Sequence, residues 1–194
     1  MKIFQVGLPL GVVVFMLASS CFAGRTRSSA VQPLPVYRLR LYETHRQQHI
    51  DIIYRRGNEY IPAALAKLNY FLRDHLNGEV HPYDPGVFDL LVRLSAAVGR
   101  PNGEIDVICG YRSPGTNHYL RVHSEGVAQH SLHMQAEAID IRIPGVNTYA
   151  LRETALGLHR GGVGYYPHSN FVHVDMGRVR QWCFECTGGL AADQ

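Results

Sequence analysis

The residues equipped for chemistry cluster in two short segments that mix imidazoles and carboxylates with apolar side chains. In the first, Ser131-Leu132-His133-Met134-Gln135-Ala136-Glu137-Ala138-Ile139-Asp140, His133 sits on a loop and Asp140 inside the strand that follows. A carboxylate between Ile139 and Ile141 is expensive to bury unless it is paired or bound to a cation. Pairing with Arg142 is one solution, and a metal is the other. In the second segment, Phe171-Val172-His173-Val174-Asp175, strand periodicity turns His173 and Asp175 to one face. A half-buried strand with a wet face has the same pattern. Together His133, Asp140 and His173 make a two-imidazole, one-carboxylate set. Such a set holds Zn²⁺ and leaves the fourth tetrahedral position open for water. Zinc held in this way brings the pKa of water toward neutrality and polarises a carbonyl. Iron oxygenases use the same ligand types. Their usual HxD pair in a double-stranded β fold differs from the His-x6-Asp spacing here, in a chain with four predicted helices. A third segment, Gly110-Tyr111-Arg112-Ser113, ends a strand in a polar loop. There the Arg112 guanidinium can fork onto a carboxylate, or simply lie on the surface.

The elements that must position these residues follow from periodicity. Residues 36–42 and 50–54 read as a β-hairpin. Leu65, Leu68, Leu72 and Leu76 mark a helix that begins near Pro62. Asp84 caps a second helix, with Pro85 at its first position, Leu90, Leu94 and Val98 along its apolar stripe, and Gly99 as its stop. Residues 105–109 read as a strand, with a helix from about Asn117. A strand over 138–143, a capped helix over 147–160 and two short strands over 162–166 and 171–176 complete the order. That order predicts an α+β fold, a small antiparallel sheet with flanking helices, preceded by the hairpin.

The chain has 194 residues, 46% hydrophobic and 18% charged, which suits one globular domain and excludes a disordered or collagenous protein. A formal net charge of +3, with no basic run, gives no argument for nucleic acid as a partner. Residues 1–23 read as a signal peptide, with Lys2 before an apolar stretch and a small-x-Ala end at Ala23. Acylation of Cys21, or an uncleaved anchor, are alternatives that would tether the protein to a membrane through its N-terminus. All three export the domain to the periplasm or cell envelope. Residues 24–35 then read as a linker, 36–182 as the domain and 183–194 as a tail. Cys183 and Cys186 form a lone CxxC, either a local disulfide or two free thiols. Cys109, in an apolar strand, is expected to be a buried spectator.

The segment from Ser131 to Asp140 resembles SxHxxGxAxD, the zinc signature of the D-alanyl-D-alanine metallopeptidases. That clan includes zinc D,D-carboxypeptidases, vancomycin-resistance dipeptidases, phage endolysins and the hedgehog signalling domain. Gly110 to Ser113 looks like its substrate-binding arginine motif, and Phe171 to Asp175 like the strand that bears the last ligand. With GGVGYYP and FVHVD, the chain is most similar to the exported murein endopeptidase K group, over roughly residues 36–182. The resemblance implies a hedgehog/D-Ala-D-Ala carboxypeptidase-like fold, with Zn²⁺ held by His133, Asp140 and His173. It implies Arg112 as the contact to a substrate carboxylate or oxyanion, and Ser131 as a support beside the zinc histidine. Ala136 replaces the signature glycine, so the backbone there is expected not to need positive φ. Many relatives place an acid where this chain has Asn170. His168 and Asp175 are the nearest substitutes for the catalytic base. The activity implied is a zinc hydrolase that cuts D-amino-acid-containing cross-link peptides of peptidoglycan, of the D,D-endopeptidase type. A D-Ala-D-Ala carboxypeptidase, or a peptidoglycan-binding module with a non-catalytic zinc, are the alternatives. Small residues at 114–117 and 167–170, without a Trp or a long lid, predict an open groove.

Overall fold

Among the described residues eight strands form one sheet, and its two edges are built from different parts of the chain. The computed structural model describes residues 1–2, 33–184 and 186. Residues 3–23 of the expected signal segment, 24–32 of the linker, and 185 and 187–194 of the tail lie outside the described residues. Two units divide at Pro33, and the fold belongs to the second, Leu34–Gln194. Among the described residues no helix is long and apolar enough to cross a membrane.

The strands are β1 (Val36–Glu43), β2 (Gln48–Arg56), β3 (Glu59–Tyr60), β4 (Glu104–Cys109), β5 (Ala138–Arg142), β6 (Gly162–Tyr166), β7 (Phe171–Asp175) and β8 (Arg180–Cys183). The helices are α1 (Pro62–Phe71), α2 (Pro85–Ala97), α3 (Pro114–His123) and α4 (Thr148–Gly157), with a 3₁₀ turn at Leu132–Gln135. The α+β class agrees with expectation, but the sheet is neither small nor purely antiparallel. Its order is β3-β2-β1-β4-β5-β7-β6-β8. The hairpin is part of it, because β1 offers its free edge to β4 in parallel. An unpaired row of backbone N–H and C=O groups would otherwise need water. β8 pairs with β6 in parallel and was not expected. At four residues it is too short for periodicity to show.

Helix starts follow their caps. Asp84 accepts from the Gly86 amide, and Asn147 accepts from the amides of Tyr149 and Ala150. α3 begins earlier than expected, at Pro114, because Ser113 caps it by accepting from the Thr116 amide at 3.2 Å. α1 stops at Phe71, which leaves Leu76 exposed. The core joins Leu39, Leu41, Ile105, Val107, Ile139 and Ile141 of the sheet to Leu68, Leu91, Leu94 and Leu151 of the helices. Each such side chain contributes roughly 1.5–3 kcal/mol by leaving water. Alternation along β5 sends Ile139 and Ile141 to that core and turns Asp140 to the other face.

Candidate metal centre

Asp140 stands in a row that crosses the sheet. Its register partner on one side is Cys109 of β4, and on the other His173 of β7. His173 is opposite Gly164 of β6, which is opposite Trp182 of β8. Directly paired residues share a face, so one surface carries sulfur, carboxylate, imidazole and indole side by side. A register shift between Val107 and Cys109 brings the cysteine opposite Asp140. Bulges of this kind re-aim side chains. His133 arrives from the 3₁₀ turn, where Ser131 accepts from the His133 amide at 3.3 Å.

Three donor atoms close into a triangle. His133 Nε2 lies 3.2 Å from Asp140 Oδ1, His173 Nδ1 lies 2.8 Å from the same oxygen, and the two nitrogens are 3.1 Å apart. Zinc ligands at their usual bond lengths stand about 3.3 Å from one another in a tetrahedron. The far nitrogens define the tautomers. His133 Nδ1 is 2.8 Å from the Gly110 carbonyl, which can only accept, so this nitrogen carries the hydrogen. His173 Nε2 is 3.1 Å from Asp175 Oδ2 and donates to it. Both imidazoles therefore aim a lone pair at Asp140, an arrangement that needs a shared cation. The electrostatics favours positive charge at this point, as a proton on His133 Nε2 or as a metal ion that takes its place. Burial disfavours the charge on His133, yet the Asp140 carboxylate and the Cys109 thiol push its pKa up to about 10. Burial acts against the Asp140 charge too, but His133 and His173 hold its carboxyl well below the carboxylate range. The residues present fit a divalent metal.

Cys109 is not a spectator. Its sulfur lies within 4.8 Å of donor atoms of both His133 and Asp140. Burial raises the thiol pKa, but His133 and Arg112 outweigh it and bring the pKa below the ordinary value. The tighter donor set is nevertheless the one with His173, because Cys109 already accepts from Arg112 Nη2 at 3.3 Å. The alternative ion pair between Asp140 and Arg142 is not made, and Arg142 bonds Asp106 at 2.9 Å instead.

Arg112 lines a cavity of about 650 Å³ whose wall also includes His133, Asp140 and His173. Its Nη1 reaches Asn117 at a long 3.4 Å, and its Nε is buried with no hydrogen-bond partner among the described residues. A guanidinium so weakly engaged is ready for an anion. Asp175 is fully buried and does not line the cavity. It accepts from His173, from Arg180 Nη2 at 2.8 Å and from the amides of Gly162 and Gly177. Burial would raise its pKa, but His173 and Arg180 hold it below the usual range. A side chain on Gly162 would come within 2.5 Å of that carboxylate, so glycine is required there. This geometry suits a residue that orients His173 better than one that takes a proton from the cavity. His168 is exposed on the turn between β6 and β7. Its neighbour Ser169 lines the cavity, as does His130, which sequence reasoning did not single out.

Two expectations are corrected, one at Ala136 and one about the groove. Ala136 does take positive φ (53°), because the chain must turn sharply from the 3₁₀ helix into β5. Asn170 also has positive φ (54°), and its side chain accepts from the Thr148 hydroxyl, so it serves the turn. The groove does have aromatic walls. Trp182 and Phe184 line it, whereas residues 114–117 do not. Cys183 and Cys186 are joined as a disulfide.

A family model described as peptidoglycan L,D-endopeptidase MepK matches residues 32–182. A Haemophilus influenzae protein named probable peptidoglycan L,D-endopeptidase MepK is 48% identical over 123 residues, covering 63% of this chain and 66% of that relative. The Escherichia coli K12 protein named peptidoglycan L,D-endopeptidase MepK is 39% identical over 168 residues, 82% of this chain and 92% of the relative. A Shigella flexneri protein of the same name matches to the same extent. No solved structure gives a significant match.

Proposed function

The chain belongs to the peptidoglycan L,D-endopeptidase MepK family, and we propose that it is an exported zinc peptidase that cuts peptide cross-links in peptidoglycan. The observation that carries this reading is the triangle of His133 Nε2, Asp140 Oδ1 and His173 Nδ1, with both histidine tautomers held by acceptors behind them. Zinc bound there would supply a Lewis acid and a water acidified toward neutrality. The protein's own groups do the rest. Gly110 and Asp175 keep the imidazoles aimed. Arg112 takes the carboxylate beside the scissile nitrogen and holds the substrate in register. His168 on the rim turn, or His130 on the wall, accepts the proton. The place that goes with this substrate is the periplasm or cell envelope, reached through the apolar segment 1–23.

Sequence reasoning favoured a D,D bond, and the relatives are named for L,D bonds. Arg112 does not separate the two, since it reads the carboxylate on the amine side and the stereochemical difference lies on the carbonyl side. The relatives' names support the L,D bond as the finer reading. Purified protein would be incubated with L,D- and D,D-cross-linked dimers and with pentapeptide monomers, with and without chelator. Metal-dependent cleavage of L,D dimers is expected. Release of terminal D-Ala from monomers with dimers intact would mean a carboxypeptidase. Zinc binding with no cleavage of any substrate would mean a binding module.

A further inference from the structure

The CxxC at the end of β8 has no part in the metal centre, yet its Cys183 and Phe184 line the wall of the same cavity. Cys183 ends β8, opposite Tyr165 of β6. The next amide, of Phe184, donates to the Tyr165 carbonyl at 2.9 Å, and the Cys183–Cys186 disulfide closes the chain around it. The Phe184 ring then reaches in two directions. It lies tilted against Tyr166 with centroids 5.8 Å apart. It also meets Gly126, beyond the end of α3. There a Cβ would sit 2.7–3.0 Å from three ring carbons, and φ is +74°. Only glycine lets the ring approach so closely. Phe184, Gly126 and Tyr166 line the cavity that holds the metal donors. The ring thus spans from the sheet edge to the segment after α3.

We infer that Phe184 is a substrate-positioning residue, its ring fixed by the Cys183–Cys186 disulfide as the wall on which the peptide chain leaving the scissile bond packs. The inference rests on the peptidase reading for the identity of that chain. A residue just past the end of an edge strand would otherwise sample many conformations, and substrate would have to order it on binding. The four-residue clasp removes that cost beforehand. An aromatic ring adds broad apolar contact with few rotamers to freeze. Because the wall touches the bound chain and not the reacting atoms, it acts on ground state and transition state alike. Its loss should raise KM and leave kcat.

The test uses the full chain as wild type, Phe184→Ala, Phe184→Tyr and the double variant Cys183→Ser/Cys186→Ser. Affinity for a cross-linked peptide dimer is measured by calorimetry on metal-stripped protein, and KM and kcat on zinc-loaded protein. Phe184→Ala is expected to weaken binding and raise KM about tenfold, the size of one aromatic contact, with zinc content and kcat held. Phe184→Tyr should restore most of the affinity. The cysteine double variant should lose a similar amount, and adding Phe184→Ala to it should cost little more. Unchanged dimer affinity in Phe184→Ala would overturn the inference. So would a loss of kcat and melting temperature with affinity unchanged. Wild type that binds the dimer but cuts nothing would fail the peptidase reading while the affinities still judge Phe184.

Discussion

His173 donates its Nε2 hydrogen to Asp175 across 3.1 Å, and Asp175 is held from behind by Arg180 at 2.8 Å. This chain of three side chains decides which nitrogen of His173 faces Asp140. Asp175→Ala should therefore lower zinc affinity about 10- to 100-fold, the usual cost of losing such a partner. Competition against a chromogenic chelator measures it. Wild-type affinity in the variant would remove Asp175 from this role.

The three donors leave no redundancy. His133→Ala, Asp140→Ala and His173→Ala should each abolish bound metal and activity, and chelator should inactivate the wild type reversibly. Metal analysis of the purified variants decides, and undiminished zinc in all three would end the assignment.

Arg112 is next to the donors and only loosely engaged. Arg112→Ala should keep zinc and fold, and lose about 10²- to 10³-fold in rate. Arg112→Lys should rescue little, since the fork is gone. Near-normal turnover in Arg112→Ala would mean the arginine does not meet substrate.

The proton acceptor separates by comparison. His168→Ala and His130→Ala should both retain zinc, and one of them should fall about 10²-fold or more in rate and lose a limb of the pH profile. If neither does, the reaction needs no histidine from the rim or the wall.

Stability should depend on acid through Asp74, which anchors the Arg112 loop. Its carboxylate accepts from the amides of Ser113 and Leu76, each at 2.8 Å. Burial would raise its pKa, but hydrogen bonds from Thr116, Ser113 and Leu76 hold it below the ordinary value. The unfolded chain thus binds a proton more readily than the folded one. The stabilisation is complete above the ordinary carboxylate value near pH 4 and is lost as pH falls below it. Asp74→Asn should cost about 1–3 kcal/mol near neutrality and flatten the acid slope. Denaturant titrations between about pH 3 and pH 7 would show it. An unaltered slope would exclude Asp74 as its source.

Ala136 carries backbone strain. An L residue in the left-handed region costs roughly 1–2 kcal/mol, and the buried methyl returns about 0.8 kcal/mol. Ala136→Gly should leave the melting temperature level or slightly raised. A loss of unfolding free energy of more than about 1 kcal/mol would contradict the left-handed geometry.

What the sequence determined by itself was local. The capping of α2 and α4 rests on residues next to the turns they close, so Asp84 and Asn147 were readable in place. The alternation through His173 and Asp175 was readable too, and so were the His133 and Asp140 segment and the α+β class. What only the tertiary structure decided was who stands beside whom. Asp140 meets His173 across 33 residues of chain because β5 pairs with β7. A bulge brings Cys109 opposite Asp140 from the other strand. No local pattern encodes either register, since one residue of slip would send every side chain to the other face. The tautomers followed from the acceptors behind each ring. The aromatic wall came from a strand too short to show periodicity, which formed because the free edge of β6 needed a partner for its backbone groups.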